Sequence, residues 1–240
     1  DLSVWCIDQI SDWEEFALWL AEQRDKIHEW AEARCRAGLE LIDRLVEVLF
    51  GDHPPDDIQW KTANAAQIEL WVRKHWETLL PQEGMPLLVI GKQSERARVL
   101  SEAIASMQDL VALFKNLKIS AAVPHKCPAN VSFFGGSMSG NIDMVLTNDK
   151  GDTGILDLKY GGRADKERQL KEGRPLQLAV YSYLLSGVKS PFPAGAFYIL
   201  SSRRLLTCDE NFFDSSNPIA APGKSGDLHQ VWQDFEQVWR

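Results

Sequence analysis

The sequence predicts an α/β fold in which a sheet with helices on both faces follows a helical extension. Three observations carry this reading. Apolar residues recur at helical spacing through most of the first 117 residues, and the pattern then switches to short β-rich runs between 131 and 200. A further helical run at 175–185 stands between the last two of those strands. The chain shows no internal repeat.

Taken in order, Ser11 and Glu14 have the spacing of a capping box that opens a helix. From Phe16 to Phe50, residues such as Ile27, Trp30, Ala31, Leu41, Leu45 and Leu49 keep a helical stripe, with a break or bend near Gly38. Residues 51–57, with His53-Pro54-Pro55 at their centre, are a loop. A second helix is expected over about Asn64–Leu80, packing through Ile68, Trp71, Val72, His75 and Leu79. Residues 84–90 read as a strand or as the approach to a helix spanning about Ser94–Leu117. Four strands are then expected, at Val131–Phe134, Asn141–Leu146, Gly154–Leu158 and Gly195–Leu200. Glycine-rich 135–140 is read as the turn joining the first pair, and 148–152 as the turn joining the second and third. Pro175 suits the first turn of a helix running to Leu185, 213–226 reads as loosely structured, and Asp227–Trp239 as a terminal helix.

Composition narrows the function classes. The chain has 240 residues, enough to bury a full core, and no apolar run of membrane-spanning length. The N-terminus has neither a basic start nor a cleavable apolar stretch, so the expectation is a cytoplasmic protein; the first residue is not Met, which suits an excised domain. Cysteines at 6, 35, 127 and 208 are too far apart for a zinc knuckle and are expected to be free thiols in a reducing compartment. The net charge of −8 argues against a surface that grips duplex nucleic acid by itself. Lys159–Arg174 runs against that balance, with Lys159, Arg163, Lys166, Arg168, Lys171 and Arg174 against Asp165, Glu167 and Glu172. Such a segment would follow a phosphate backbone without reading bases, or is simply solvated surface.

The chemistry concentrates in Gly140-Asn141-Ile142-Asp143 and Gly154-Ile155-Leu156-Asp157-Leu158-Lys159. Carboxylates and an ammonium inside apolar strand runs are costly unless a metal, a counter-charge or water receives them. Alternate residues of a strand share a face, so Asp157 and Lys159 point the same way, ~6.6 Å apart along the backbone. A hairpin through 148–152 brings Asp143 beside Asp157, and two carboxylates in reach of one ion suit a hard cation such as Mg²⁺. Gln177 and Tyr181, four apart on the following helix, put two polar tips on one apolar face. The bland alternative is that Asp143 caps a turn and Asp157–Lys159 is an exposed ion pair on an edge strand.

Gly-x-Ile-Asp, a turn, Ile-Leu-Asp-Leu-Lys-Tyr-Gly, a basic linker and Gly-Arg-Pro-Leu-Gln-Leu-Ala-Val-Tyr together resemble the PD-(D/E)XK nuclease superfamily, most closely its RecB-like branch at the C-terminus of AddB-type helicase–nucleases and in Cas4-like exonucleases. The four elements cover residues 131–200. The resemblance implies a restriction-endonuclease-like core with a mixed sheet, at 121–240, on which a helical region at 1–120 packs as one compact unit. It implies Mg²⁺ or Mn²⁺ on Asp143 and Asp157, Lys159 assisting hydrolysis, and Gln177 and Tyr181 supporting the site and touching DNA. Arg163, Lys166, Arg168, Lys171 and Arg174 would then meet the nucleic acid. Family members often add a histidine or glutamate from an early helix; here 36–40 offers Glu40, or further off Glu32, while His28 is out of register. The strand before Asp143 lacks the family's occasional glutamate, and with only Cys208 after the Gln…Tyr helix no iron–sulfur cluster is expected.

The function this implies is metal-dependent DNA cleavage, exonuclease-like, on single strands or duplex ends, beside a helicase or DNA-binding domain in repair or defence. Two alternatives stand: an inactive nuclease-like module that scaffolds a complex or binds DNA, and a hydrolase of sugar phosphates or nucleotides. His125 and Cys127, having no second pair nearby, are read as loop and packing residues. The nine tryptophans are mostly core, with Trp232 and Trp239 the exposed exceptions.

Overall fold

Helices build the first half of the described chain and a five-stranded sheet the second. The computed structural model describes residues 38–51, 56–89, 92–126, 131–133, 136–187, 191–213 and 227–239. The expected helix from Ser11, Glu32, His28 and three of the four cysteines lie outside these; Cys208 is a free thiol.

Helix α1 runs through 38–50 and buries Leu41, Ile42, Leu45, Val46 and Leu49, its helical stripe. Helix α2, Ala65–Glu83, starts at Asn64, whose side chain accepts the Gln67 N–H while the Gln67 side chain accepts the Asn64 N–H. The reciprocal cap explains why the helix begins where the sequence places it. The segment 84–90, left open between strand and helix approach, carries a 3₁₀ turn at Met85–Leu87 among its described residues, 84–89. Helix α3 spans Gln93–Asn116.

The strands are β1 (Ile119–Lys126), β2 (Val131–Phe133), β3 (Gly136–Met138), β4 (Asn141–Asn148), β5 (Thr153–Lys159), β6 (Ala194–Ile199) and β7 (Arg204–Thr207). The main sheet has the order β1-β4-β5-β6-β7, antiparallel except for the parallel β5–β6 pair, so it is mixed. One expected pairing is corrected. Val131–Phe133 does not join β4 but pairs with Gly136–Met138 in a small sheet of its own, and the neighbour of β4 is β1. The β4–β5 turn is as expected, with Asn148 Oδ1 accepting the Lys150 and Asp152 N–H groups. Gly151 there sits at φ 86°, a left-handed conformation that favours glycine.

The parallel β5–β6 pair needs a crossover, which helices α4 (Arg163–Lys171) and α5 (Leu176–Ser186) supply. Helix α6, Leu228–Trp239, packs on α5. One sheet face carries Leu146, Leu156, Leu158, Ala196 and Tyr198 into a core shared with α1–α3. The other carries Phe197, Ile199 and Leu206 against α4, α5 and α6. Trp232, expected to be exposed, is only 2% so: its ring stacks on Tyr183 at 4.0 Å between centroids. The amphipathic α6 needs an apolar anchor on α5, and Trp232 is it. The side chain of Trp239 lies outside the described residues.

Candidate active site

Strand β5 is the third of five and buried on both faces over Gly154–Leu158, yet it carries Asp157 at 0% exposure. The reading of Asp157–Lys159 as an exposed pair on an edge strand is thereby excluded. Lys159 Nζ stands 2.5 Å from Asp157 Oδ2. That oxygen is buried, and Lys159 is what compensates it. The other oxygen, Oδ1, accepts a hydrogen bond from Gln177 Nε2 at 2.9 Å. The same nitrogen donates to the Tyr181 hydroxyl at 3.0 Å. Positions four apart on α5 therefore act as one unit beneath Asp157.

Asp143 is placed by the end of a ladder. The β4–β5 pairs run from Thr147↔Thr153 to Met144↔Leu156 and stop there. Beyond that point the Leu158 N–H donates to the Asp143 side chain, Oδ2, at 2.7 Å. A carboxylate thus satisfies a strand amide where the two strands part.

The structure adds an acid that the sequence reading missed. Asp43, on α1, lines an open cleft of about 440 Å³ together with Asp143, Glu40, Glu47, His125 and Asn141. Its Oδ1 is buried with no hydrogen-bond partner. Burial, then the charge of Asp143, pushes its carboxyl up to about 7; Lys159 offsets part of this. Asp157 is pushed up to about 6, by burial first, against the pull of Lys159. Burial likewise raises Asp143, against the Leu158 N–H and Lys159. Three desolvated carboxylates around one lysine form an electron-rich oxygen donor set whose charged form needs a cation. Among the described residues, no three His, Cys, Asp or Glu side chains are drawn together closely enough to read as a formed metal shell.

Glu40, the substitute suggested for the early-helix ligand, is exposed on the rim of this cleft, one turn before Asp43. No local signal finds Asp43: it and Arg44 lie alike between the buried pairs 41/42 and 45/46, yet only Asp43 is half-buried. His125, expected in a loop, is on β1, paired with Ile142 next to Asp143, and lines the same cleft.

The segment read as a basic linker is helix α4. Arg163 is bound to Glu167 at 2.6 Å and Arg168 to Asp165, both exposed pairs. Lys171 and Arg174 are exposed, whereas Lys166 is half-buried.

A mixed five-stranded sheet between helices, with two acids and a lysine where β4 and β5 part, is the restriction-endonuclease-like arrangement. A search of curated proteins finds no match to the chain. The family model of the PD-(D/E)XK nuclease superfamily, however, matches residues 25–238, most of the chain. The chain belongs to the PD-(D/E)XK nuclease superfamily.

Proposed function

We propose that this chain is a divalent-metal-dependent deoxyribonuclease, exonuclease-like, that acts on single strands or duplex ends. The observation that carries the reading is the convergence of Asp143, Asp157 and Lys159 at the parting of β4 and β5, with Gln177 bracing Asp157. Nucleases of this superfamily generally use divalent metals, and the donor set suits one: hard oxygen donors, desolvated, with a buried carboxylate oxygen at Asp43 that lacks a hydrogen bond. Asp143 and Asp157 would hold Mg²⁺ or Mn²⁺, with Asp43 as the third carboxylate. When bound, such an ion lowers the pKa of a water and polarises phosphoryl oxygens.

The chain's own residues supply the rest. Lys159 keeps an ammonium beside the acids, 26% exposed at the rim, where it can orient the attacking water or neutralise charge growing on the phosphoryl oxygens. Gln177 fixes one oxygen of Asp157, leaving the other turned toward Lys159. Tyr181 holds the Gln177 amide in that rotation. The chain is read as one compact unit, a helical region at 1–120 on a core at 121–240. It is further read as part of a RecB-like helicase–nuclease or of a repair or defence protein, cytoplasmic and beside a helicase or DNA-binding partner. Among the described residues no helix is long and apolar enough to cross a membrane.

The test is Mn²⁺-dependent digestion of end-labelled linear and circular DNA by wild type and Lys159→Ala. Wild type should degrade the linear form, and Lys159→Ala should lose roughly 10²–10³-fold, as when a charge-stabilising donor is removed. Mn²⁺ binding that disappears in Asp143→Asn, without cleavage of any DNA, would assign the chain instead to an inactive nuclease-like module.

A further inference from the structure

The cations of α4 do not share one environment. Arg163 and Arg168 are committed to acids of their own helix, at its exposed side. Lys166 is turned under, toward the sheet. Its Nζ lies 4.9 Å from the centroid of the Phe197 ring and 3.5 Å from Gln169 Oε1. Among the described residues no carboxylate lies within ion-pair distance of it.

Phe197 pairs in register with Asp157 across the parallel β5–β6 ladder. Paired residues of adjacent strands share a face and lie about 4.8 Å apart between strands. The ammonium of Lys166 is therefore over the face that carries Asp157 and Lys159, one strand away, with a ring and a neutral amide in contact and the Asp157 carboxylate within Coulombic reach but not paired. A ring and an amide leave donors of an ammonium free for a stronger acceptor.

The opposite flank has the opposite sign. Over β1 and β4 the cleft beside Asp143 is lined by Glu40, Asp43, Glu47 and Glu83, and its Arg44 is bound to Glu47. The acids that line this cleft disfavour a polyanion on the α1 side of the site.

We infer that Lys166 is a substrate-binding residue of this site: it holds a phosphodiester flanking the one that is cut, so that the nucleic-acid strand reaches Asp157 and Lys159 over α4 and α5. The inference rests on the nuclease reading above and adds to it the path of the strand. Lys166 makes a charge contact to a phosphate and reads no base.

The test is binding of a labelled single-stranded 20-mer, with Ca²⁺ in place of Mn²⁺, across a series of NaCl concentrations. Lys166→Ala is expected to weaken binding about tenfold at 0.1 M NaCl and to reduce the slope of log K against log salt by about 0.7, one phosphate contact on a single strand. Lys166→Arg should keep both. Lys166→Met retains the aliphatic stem over Phe197 and should behave as Lys166→Ala, which separates lost charge from lost packing. Arg163→Ala and Arg168→Ala should change the slope by less than half as much. In Mn²⁺ digestion Lys166→Met should raise KM about tenfold, with kcat within threefold of wild type. An unchanged salt slope in Lys166→Met, or equal effects at Arg163 and Arg168, overturns the inference. Failure of the nuclease reading looks different: wild type then cleaves nothing, while the binding slopes still rank the variants.

Discussion

Asp43 on α1 and Asp143 on β4 face one cleft, and the charge of Asp143 adds to burial in holding a proton on Asp43 up to about pH 7. Like charges placed this way in a half-buried site are a standing cost that a bound cation removes. Asp43→Asn is therefore expected to act in two directions. It should weaken Mn²⁺ binding by at least roughly tenfold, the level at which even indirect partners of a metal site register. It should also raise the stability of the metal-free protein at pH 8, on the order of 1–3 kcal/mol, because a buried charge is gone. Titration calorimetry and urea unfolding read the two effects. Unaltered Mn²⁺ affinity would remove Asp43 from the site.

The raised carboxyls also fix the sign of a pH dependence. Asp43 and Asp157 are raised from 3.8 to about 7 and about 6. Between pH 4 and 7 the folded chain keeps protons that the unfolded chain has already released, so stability falls as pH rises, and it levels off above 7. The loss attributable to Asp43 should span a few kcal/mol at most and appear as the difference between wild type and Asp43→Asn across pH 4, 5, 6, 7 and 8 in chelator. Mn²⁺ affinity should move the other way over the same window, since binding expels those protons. A wild type whose stability rises relative to Asp43→Asn as the pH goes from 5 to 7 in chelator would contradict the assignment.

Gln177 is expected to matter more than Tyr181. Gln177→Leu leaves Asp157 Oδ1 buried without its donor, a loss of roughly 1–3 kcal/mol. It also raises the Asp157 carboxyl further, so the acid limb of the cleavage profile should shift to higher pH. Tyr181→Phe removes a hydroxyl that accepts from Gln177 while Asp157 keeps its bond, and should cost about 1 kcal/mol or less with the acid limb in place. The pH profiles of the two variants make the comparison. An equal shift in both would mean that Tyr181 touches the site directly.

What the sequence made legible follows from which signals are local. Asp143, Asp157 and Lys159 stood out because charged residues inside β-rich apolar runs violate the pattern around them. Gln177 and Tyr181 stood out because helical spacing put them on one face. Asp43 did not, since Glu40, Asp43 and Glu47 all read as the solvated side of an amphipathic helix. Its burial comes with the cleft it shares with Asp143 and His125, which is tertiary information. Helix α4 was invisible for a related reason: Arg163–Lys171 buries Leu170 alone, so it has no apolar stripe, although its i,i+4 Arg163–Glu167 pair was readable. Strand β1 was lost because Ser120-Ala121-Ala122 and Pro124 are weak strand formers, tolerated on an edge strand that is irregular between Val123 and His125.

The last prediction concerns how the two halves of the site are kept in register. Tyr160 follows Lys159, and its hydroxyl donates to Glu102 on α3 at 2.5 Å, while Arg98 binds the other oxygen of Glu102 at 2.7 Å. Its carbonyl accepts the Ser201 N–H at 3.0 Å, which fixes the end of β5 independently of the ring. The ring lies against Gly38 on α1, where an added Cβ would stand 3.3 Å from Tyr160 Cε2, so the helix must give by a few tenths of an ångström. That helix carries Asp43 five residues on. Tyr160→Phe should therefore cost about 1–2 kcal/mol of stability, a hydrogen bond to a charged acceptor, with little change in Mn²⁺ affinity. Gly38→Ala should do the reverse, weakening Mn²⁺ binding by displacing Asp43 from Asp143 while helix propensity offsets part of the contact strain. Urea unfolding and calorimetry on the two variants decide it. If Tyr160→Phe weakens the metal and Gly38→Ala does not, the spacing of α1 is set by the Glu102 bond and not by the ring against Gly38.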